Sequence, residues 1–188
     1  MDWTLGIVVG LLVLVLLVGI ASYNRFIAQI QAVKTAWSNI DTEIRRRSDL
    51  IPNLVETVKG YATHEREVFE NVTKARAAVG SASTPAELAA AEGPLMAALG
   101  RLLAVAEAYP DLKANANFLA LQQELANTED RLQTARRFYN ANVLDLNQRV
   151  QQFPSNLIAR MFGFAEAEYF EVDEATRDAG PPKVDFTP

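Results

Sequence analysis

The stretch AWSNIDTEIRRRSDLIPNLVETVKGYATHE, residues 36–65, combines an apolar repeat with three arginines, a proline and the chain's only histidine. It belongs to a longer series, from Tyr23 to Val79, whose positions are separated alternately by three and four residues and are almost all apolar. Such a heptad series predicts a long helical segment that packs against other helices. Its two polar positions, Arg47 and Glu65, are predicted to fix the register against partner helices, at a cost in stability.

Pro52 falls inside this series and is expected to disturb the helix. Proline has no backbone N–H, and its ring crowds the carbonyl group of Ser48, so the helix is predicted to kink or restart there. Asp49 can cap a restarted helix. Because the apolar register continues unchanged on both sides, we expect a kink or tight joint that leaves both halves facing one core.

A second long helix is predicted after a clear helix breaker, GSAS at residues 80–83. The tetrapeptide TPAE, residues 84–87, has threonine at the cap, proline at the first helical position and glutamate three residues after the cap, which is a capping box. The helix is expected to run towards Tyr109, with a kink or break at residues 93–94, Gly-Pro. Pro and Asp at residues 110–111 then turn the chain.

The last long helix is predicted from apolar residues that recur at heptad spacing between Phe118 and Val150, and Asn142 fills one core position, where it is expected to fix alignment. FPSN, residues 153–156, ends it. Long amphipathic helices joined by short turns fold back on one another. The sequence therefore predicts an all-α protein, with an antiparallel bundle of about four long helices over residues 23–153.

The beginning of the chain reads as a membrane anchor. From Leu5 to Ala21 there is no charged or strongly polar side chain, and Trp3 and Thr4 extend the run towards the roughly 20 residues that a spanning helix needs. A cleaved signal peptide is the alternative, but a basic start is missing and the run exceeds the usual length of about 7–15 residues. We therefore predict a retained transmembrane helix, residues 1–22, that continues into the bundle.

The orientation of this anchor is predicted from the charges on its two sides. Asp2 precedes the apolar run, whereas Arg25 and Lys34 follow it, and Trp3 and Tyr23 bracket it as interfacial aromatic residues do. The positive-inside rule then places the short N-terminus outside and the body of the chain in the cytoplasm, at a bacterial inner membrane.

The final segment, residues 154–188, carries an apolar cluster after the bundle should be complete, followed by an acidic and proline-containing tail. The cluster contains Leu157, Ile158, Met161, Phe162 and Phe164. It is expected either to pack back on the bundle as a lid, or to form an adhesive surface for a neighbouring subunit, another partner or the membrane.

The residue inventory argues against catalysis. The chain has no cysteine and one histidine, His64, which excludes thiolate sites and any metal site built from several histidines. His64 is expected to be solvated or at the edge of the core, with a pH-sensing role as the alternative. No phosphate loop, nucleophile motif or acid–base pair is recognisable, so we predict no enzyme activity and no cofactor. The net charge of -5, without a basic stripe, argues against nucleic acid as a partner.

The three consecutive arginines, Arg45, Arg46 and Arg47, suggest lipid headgroups, but a straight helix would carry Arg45 about 36 Å beyond the apolar run. Pairing with nearby carboxylates is the preferred interpretation, and the candidates are Asp41, Glu43 and Asp49. An acidic partner, such as the acidic tail of a neighbouring copy, is the alternative.

Four long segments carry a resemblance to a known family: the stretch at residues 36–65, LGRLLAVAEAYPDLKANANFLALQQEL, ARRFYNANVLDLNQRVQQFPSNLIARMFGF, and the terminal PPKVDF. The chain resembles the LemA family of bacterial membrane-anchored helical proteins over almost its whole length. The resemblance implies a single span and a four-helix bundle, and it supplies no catalytic residue. It also implies a role in envelope maintenance or membrane organisation, since family genes neighbour those of a membrane metalloprotease or other envelope proteins and a related member takes part in magnetosome formation.

The function predicted from these observations is a non-enzymatic, membrane-anchored scaffold or adaptor that self-associates. The alternatives are a peripheral lipid-binding or membrane-shaping protein, and a substrate or regulator of a membrane metalloprotease. The expected partners are membrane lipid, further copies of the chain and another envelope protein. The candidate interaction residues are Arg45, Arg46, Arg47, Glu65, Asn142, Leu157, Ile158, Met161, Phe162 and Phe164.

Overall fold

The computed structural model describes residues 2–171, which form six α-helices and no β-strand. The helices are α1 (Asp2–Lys59), α2 (Arg66–Ser81), α3 (Pro85–Glu107), α4 (Pro110–Lys113), α5 (Ala116–Gln151) and α6 (Ser155–Phe162). The predicted all-α class is confirmed. The acidic tail and the terminal PPKVDF motif lie outside the described residues.

The sequence left a kink or a restart open at Pro52. The structure excludes the restart, because α1 continues through Pro52 to Lys59. Proline costs a helix about 3 kcal/mol. The residues beside it, Ile51, Leu54 and Val55, are buried, and burying such side chains stabilises by about 1.5–3 kcal/mol each. The break falls instead at residues 60–65, where the amide groups of Gly60 and Ala62 donate to carbonyl groups of the last turn.

A kink or break was also predicted at residues 93–94, and the structure excludes the break. Helix α3 runs through Pro94 to Glu107 without interruption. Leu95 and Leu99, which follow the proline, are both buried. The predicted capping box is present, since the Thr84 hydroxyl accepts from the Glu87 amide and the Glu87 carboxylate accepts from the Thr84 amide.

The chain forms two compact units. Within the described residues, the first unit comprises residues 2–40 and 134–169, and the second unit comprises residues 41–133 with residues 170–171. Helices α1 and α5 are shared, because each begins in one unit and ends in the other.

In the first unit, α1 and α5 pack antiparallel. Gln29 donates through Nε2 to the carbonyl oxygen of Asp145 at 3.3 Å, and the rings of Trp37 and Tyr139 lie 5.6 Å apart. Residue numbers therefore rise along α1 while they fall along α5. Their facing sides bury Phe26, Ala36, Ile40, Tyr139, Val143 and Leu146.

Helix α6 and the segment after it fold back onto this pair of helices. Ala159 of α6 joins Phe26 and Leu146 in one core cluster, with Phe164 packed against it. The Asn147 side chain holds the segment at Ala167 through two hydrogen bonds, of 2.8 and 2.9 Å. The prediction of a packed lid is therefore confirmed for this part of the C-terminal segment.

The second unit is built from the end of α1, the whole of α2 to α4, and the start of α5. Asn115 begins α5 by accepting from the amide groups of Asn117 and Phe118. The buried apolar side chains of its helices are Ile44, Ile51, Leu54, Val55, Val58, Phe69, Val72, Ala75, Val79, Leu88, Leu95, Ala98, Leu99, Leu102, Ala106, Leu112, Phe118 and Leu132. Along each helix these residues recur every three or four positions, so each helix presents one face to a common core.

Candidate functional site: a buried arginine beside an apolar cleft

Arg47 lies in the core of the second unit, at the heptad position where the sequence placed it. Its side chain is 1% exposed, and it connects three helices. Nη1 donates to Oε2 of Glu129 on α5 at 2.9 Å, and Nη2 donates to Oε1 of Glu92 on α3. The predicted role in helix register stays a prediction, but the geometry it needs is present.

The two carboxylates of this triad, Arg47 with Glu92 and Glu129, differ in their exposure to solvent. The Glu92 side chain is 8% exposed, whereas that of Glu129 is 25% exposed. Burial lowers the pKa of Arg47, and the charge and hydrogen bond of Glu129 act in the opposite direction. A buried cation is tolerated when carboxylates surround it, so the cation and its two carboxylates depend on one another.

An apolar cleft of about 300 Å³ opens beside the triad. Its lining consists of Arg47, Met96, Leu99, Gly100, Leu103, Gln122, Leu125, Ala126 and Glu129. Met96, whose side chain is exposed, brings its sulfur within 3.9 Å of Arg47 Nη1. A mostly apolar lining with one charged pair is suited to hold apolar side chains of another helix, because the charged pair then specifies orientation.

The other two arginines pair locally on the surface of α1, as the preferred interpretation predicted. Arg45 contacts Asp41 at 2.9 Å, and Arg46 lies 3.7 Å from Glu43. An exposed pair such as Arg45–Asp41 contributes about 0.3–0.5 kcal/mol. The triplet is thus one buried arginine and two surface arginines, and it does not form a single binding cluster.

The two other predicted register residues, Glu65 and Asn142, are both half-buried. Glu65 is at the N-cap of α2, in the turn before that helix, and makes no side-chain capping bond. Asn142 is half-buried on α5 and donates to the carbonyl oxygen of Phe138, one turn earlier. The heptad series does not continue as one helix through residues 60–65, so Glu65 is not a core position of a continuous helix. The role of Asn142 in alignment stays a prediction.

Glu92 was missed by the sequence reasoning, although a signal existed. Leu88, Glu92, Leu95, Leu99 and Leu102 follow one another at steps of four and three, and all five are buried. A glutamate at a core position of α3 therefore matches the arginine at a core position of α1.

His64 is exposed in the turn between α1 and α2, in agreement with the expectation of a solvated residue. Within residues 2–171, no three or more His, Asp or Glu side chains are grouped so that they could hold a metal ion.

The apolar cluster of the C-terminal segment is divided by the fold. Ile158 and Phe164 pack against the first unit, whereas Leu157, Met161 and Phe162 are exposed. Phe153, just before α6, is exposed as well.

Two described helices are long and apolar enough to cross a membrane, namely α1 and α3. The apolar window of α1 is wholly exposed, whereas a third of that of α3 is buried. Helix α3 packs along α2 and buries Glu92, as a core helix does. The apolar segment at the start of α1 is therefore the candidate that fits a membrane anchor.

Comparison with known proteins gives concordant results. "Magnetosome protein MamQ 2" of Paramagnetospirillum magneticum is 29% identical, covering 79% of this chain and 64% of the relative. "Magnetosome protein MamQ" of Magnetospirillum gryphiswaldense is 27% identical with the same coverage, and "Protein LemA" of Metamycoplasma hominis is 24% identical over 82% of this chain and 71% of its own. The chain thus spans less than two thirds of the magnetosome relatives. A family model described as the LemA family matches residues 36–186, from the arginine stretch through all later helices, and the protein belongs to the LemA family.

Proposed function

We propose that this protein is a non-enzymatic, membrane-anchored scaffold or adaptor that self-associates at the bacterial inner membrane. The proposal rests on the composition and packing of α1. One helix contains a fully exposed apolar segment at its start and supplies buried faces to both compact units further along. An element that joins an anchor directly to a folded body is suited to position that body at a membrane.

Self-association is supported by the apolar cleft between α3 and α5. Exposed apolar surface beside a buried ion pair is typical of interfaces, because apolar contacts supply affinity and the charges restrict the geometry. We propose that a helix of a second copy occupies this cleft. The names of three relatives link the family to the magnetosome, which supports a role in membrane organisation.

The first experiment measures the mass of the full-length protein in mild detergent, by light scattering after size exclusion. A discrete assembly is expected for the natural sequence. Met96→Gln removes apolar surface from the cleft and is expected to reduce that mass. Leu119→Gln is the matched control, because Leu119 is an equally exposed apolar residue of the second unit that does not line the cleft.

The outcomes separate the parts of the proposal. A monomer at every protein concentration contradicts self-association. An assembly whose mass is unaffected by Met96→Gln shows that copies meet at another surface. Equal losses for Met96→Gln and Leu119→Gln would indicate a general effect of surface polarity, and the cleft would then have no special role.

The proposed orientation has the N-terminus outside and both units in the cytoplasm. Arg25 follows the apolar segment directly, and Arg149 lies close enough to Arg25 for their charges to interact. These cations extend the charge asymmetry on which the positive-inside rule acts. Since the chain has no cysteine, a single cysteine at Leu119 reports the side directly, and its labelling by an impermeant maleimide in intact cells would contradict this orientation.

A further inference from the structure

Helix α6 lies against the last turns of the apolar segment of α1. A Cβ atom built on Gly19 would be 3.9 Å from Cδ1 of Ile158, an ordinary van der Waals distance, so the Ile158 side chain lies directly over this turn of α1. A groove of about 410 Å³ between them is lined by Val15, Leu16, Gly19, Ile20, Tyr23, Ile158, Met161 and Phe162.

This contact fixes the depth of α6 once α1 is in a bilayer. Residues 3–21 form a helix about 28 Å long, which matches the hydrocarbon thickness of about 30 Å. The groove begins at Val15 and ends at Tyr23, about 12 Å further along the helix axis. Helix α6 therefore lies beside the part of α1 that occupies the boundary between acyl chains and headgroups, whichever side of the membrane the body occupies.

The chemistry of α6 suits that position. Met161 is 73% exposed and Leu157 is 54% exposed, one helical turn apart, while Ala159 faces the core. Arg160, also exposed, lies beside Leu157 on the polar side of the helix. A short helix with an exposed apolar face and a flanking cation is typical of segments that lie in the membrane interface.

An aromatic cluster continues the same surface. The ring of Tyr23 lies 4.8 Å from that of Phe162 and 5.4 Å from that of Phe164, and Phe26 stacks on Phe164 at 4.7 Å. Tyrosine and tryptophan are enriched where a protein crosses the interface, and Tyr23 is the member of the cluster of that kind. The cluster connects α6 and the residues just after it to α1 at that level.

Two further arginines lie close to one another near this end of the first unit. Burial and the positive charge of Arg25 lower the pKa of Arg149, while Asp145 acts in the opposite sense. The Arg149 guanidinium stacks over Phe26, a member of the aromatic cluster, at 5.9 Å. Paired cations near a bilayer surface are favourably placed for lipid phosphate groups.

We propose that α6 is an interfacial helix: the exposed side chains of Leu157, Met161 and Phe162, with that of Phe153 just before the helix, are immersed in the lipid leaflet through which α1 leaves the membrane. The inference rests on the membrane anchor of the proposed function and adds a second lipid contact to it. Lipid is the occupant favoured by continuity, because α6 touches the very turns of α1 that the bilayer surrounds. The protein is then attached to the bilayer at two places, the transmembrane helix and α6.

The test uses the full-length protein in vesicles of phosphatidylglycerol and phosphatidylcholine. Single cysteines replace Met161, Leu12 in the apolar segment and Leu119 in the second unit, and each carries an environment-sensitive fluorophore. Quenching is measured with spin-labelled lipids and with aqueous iodide. We expect Met161→Cys to be quenched by shallow spin-labelled lipid several-fold more than Leu119→Cys, and to be protected from iodide.

Each other result overturns the inference in its own way. If iodide quenches the label at Met161 as strongly as the label at Leu119, α6 lies in water and the inference is wrong. The membrane anchor is unaffected by that result as long as the label at Leu12 is in lipid. Protection from both quenchers indicates that protein covers the face, so that a second copy is the occupant. A label at Leu12 that iodide reaches removes the anchor itself, and the proposed function fails with it.

A second pair of variants tests the contact that places α6. Gly19→Leu adds a side chain where Ile158 lies, whereas Gly10→Leu adds the same side chain where no atom lies within 4 Å. With the label at Met161, Gly19→Leu is expected to lower lipid quenching markedly and Gly10→Leu to leave it unchanged. Equal quenching in both variants would show that packing on Gly19 does not set the depth of α6.

Discussion

Replacing Arg47 tests the triad most directly. Arg47→Met keeps an unbranched side chain of similar length and removes the charge, which leaves the carboxylates of Glu92 and Glu129 without their cation. Breaking a buried ion pair by removing one partner costs about 3–5 kcal/mol. Because Glu129 is a quarter exposed and can rehydrate while Glu92 cannot, we expect a loss near the lower limit, about 3 kcal/mol at neutral pH.

The assay is urea unfolding of the full-length protein in mild detergent, followed by helical circular dichroism. Arg45→Met is the matched control, since Arg45 is 76% exposed and its pair with Asp41 is worth about 0.5 kcal/mol or less. The deficit of Arg47→Met should shrink at acidic pH, because protonation removes the uncompensated negative charge. Adding Glu92→Leu and Glu129→Leu to Arg47→Met should recover most of the loss, since an apolar core can replace a buried ionic one.

Two results would refute this reasoning. If Arg47→Met and Arg45→Met have equal effects, the triad contributes no more than a surface pair. If the triple variant is less stable than Arg47→Met alone, uncompensated carboxylates are not the source of the loss.

Two further predictions concern the ends of the fold. Asn147→Leu removes both hydrogen bonds to Ala167, worth about 1 kcal/mol each, so limited proteolysis should cut residues 163–171 faster; an unchanged rate would show that ring packing alone holds the segment. At the start of α3, hydrogen bonds from Ser83 and then Thr84 lower the pKa of Glu87 below its ordinary value of 4.5. The ionised cap therefore stabilises the fold at pH values above 4.5, and this stabilisation is lost as the pH falls through the lower pKa of the folded state. Glu87→Gln should then flatten the acid side of a curve of unfolding free energy against pH. A curve identical to that of the natural sequence would contradict this.

The helices could be predicted from the sequence because their signals are local and strong. The capping box at Thr84 depends on three neighbouring residues, and it is present as predicted. Whether the helix ends at Pro52 could not be decided from the sequence, because the effect of the proline is a balance between a local cost and the burial of its neighbours, and burial is a property of the whole fold. The break near Gly60 carried a weaker signal, a single glycine inside an apolar repeat, and the repeat dominated the interpretation.

The candidate site was half predictable for a similar reason. A charged residue at a heptad position identified Arg47, since periodicity shows which face of a helix is buried. Its partners lie 45 and 82 residues away in sequence, and only the fold determines which carboxylates meet it. For the C-terminal segment the sequence left two interpretations open, a packed lid and an interaction surface. Composition shows that a cluster is apolar, but it does not show which of its members the fold covers.

The triad has a further consequence for the alignment of α1. Ile40 and Leu54 lie one heptad before and one heptad after Arg47. If α1 shifted by seven residues, most of its core positions would still be filled by apolar residues. Apolar contacts alone discriminate weakly against such a shift, whereas a displacement of about 10 Å would leave Arg47 away from both carboxylates. We infer that the ion pairs are retained for register more than for stability. The triple apolar variant should then be stable yet show more than one set of amide resonances for residues 41–59, and a single set would remove the argument for register.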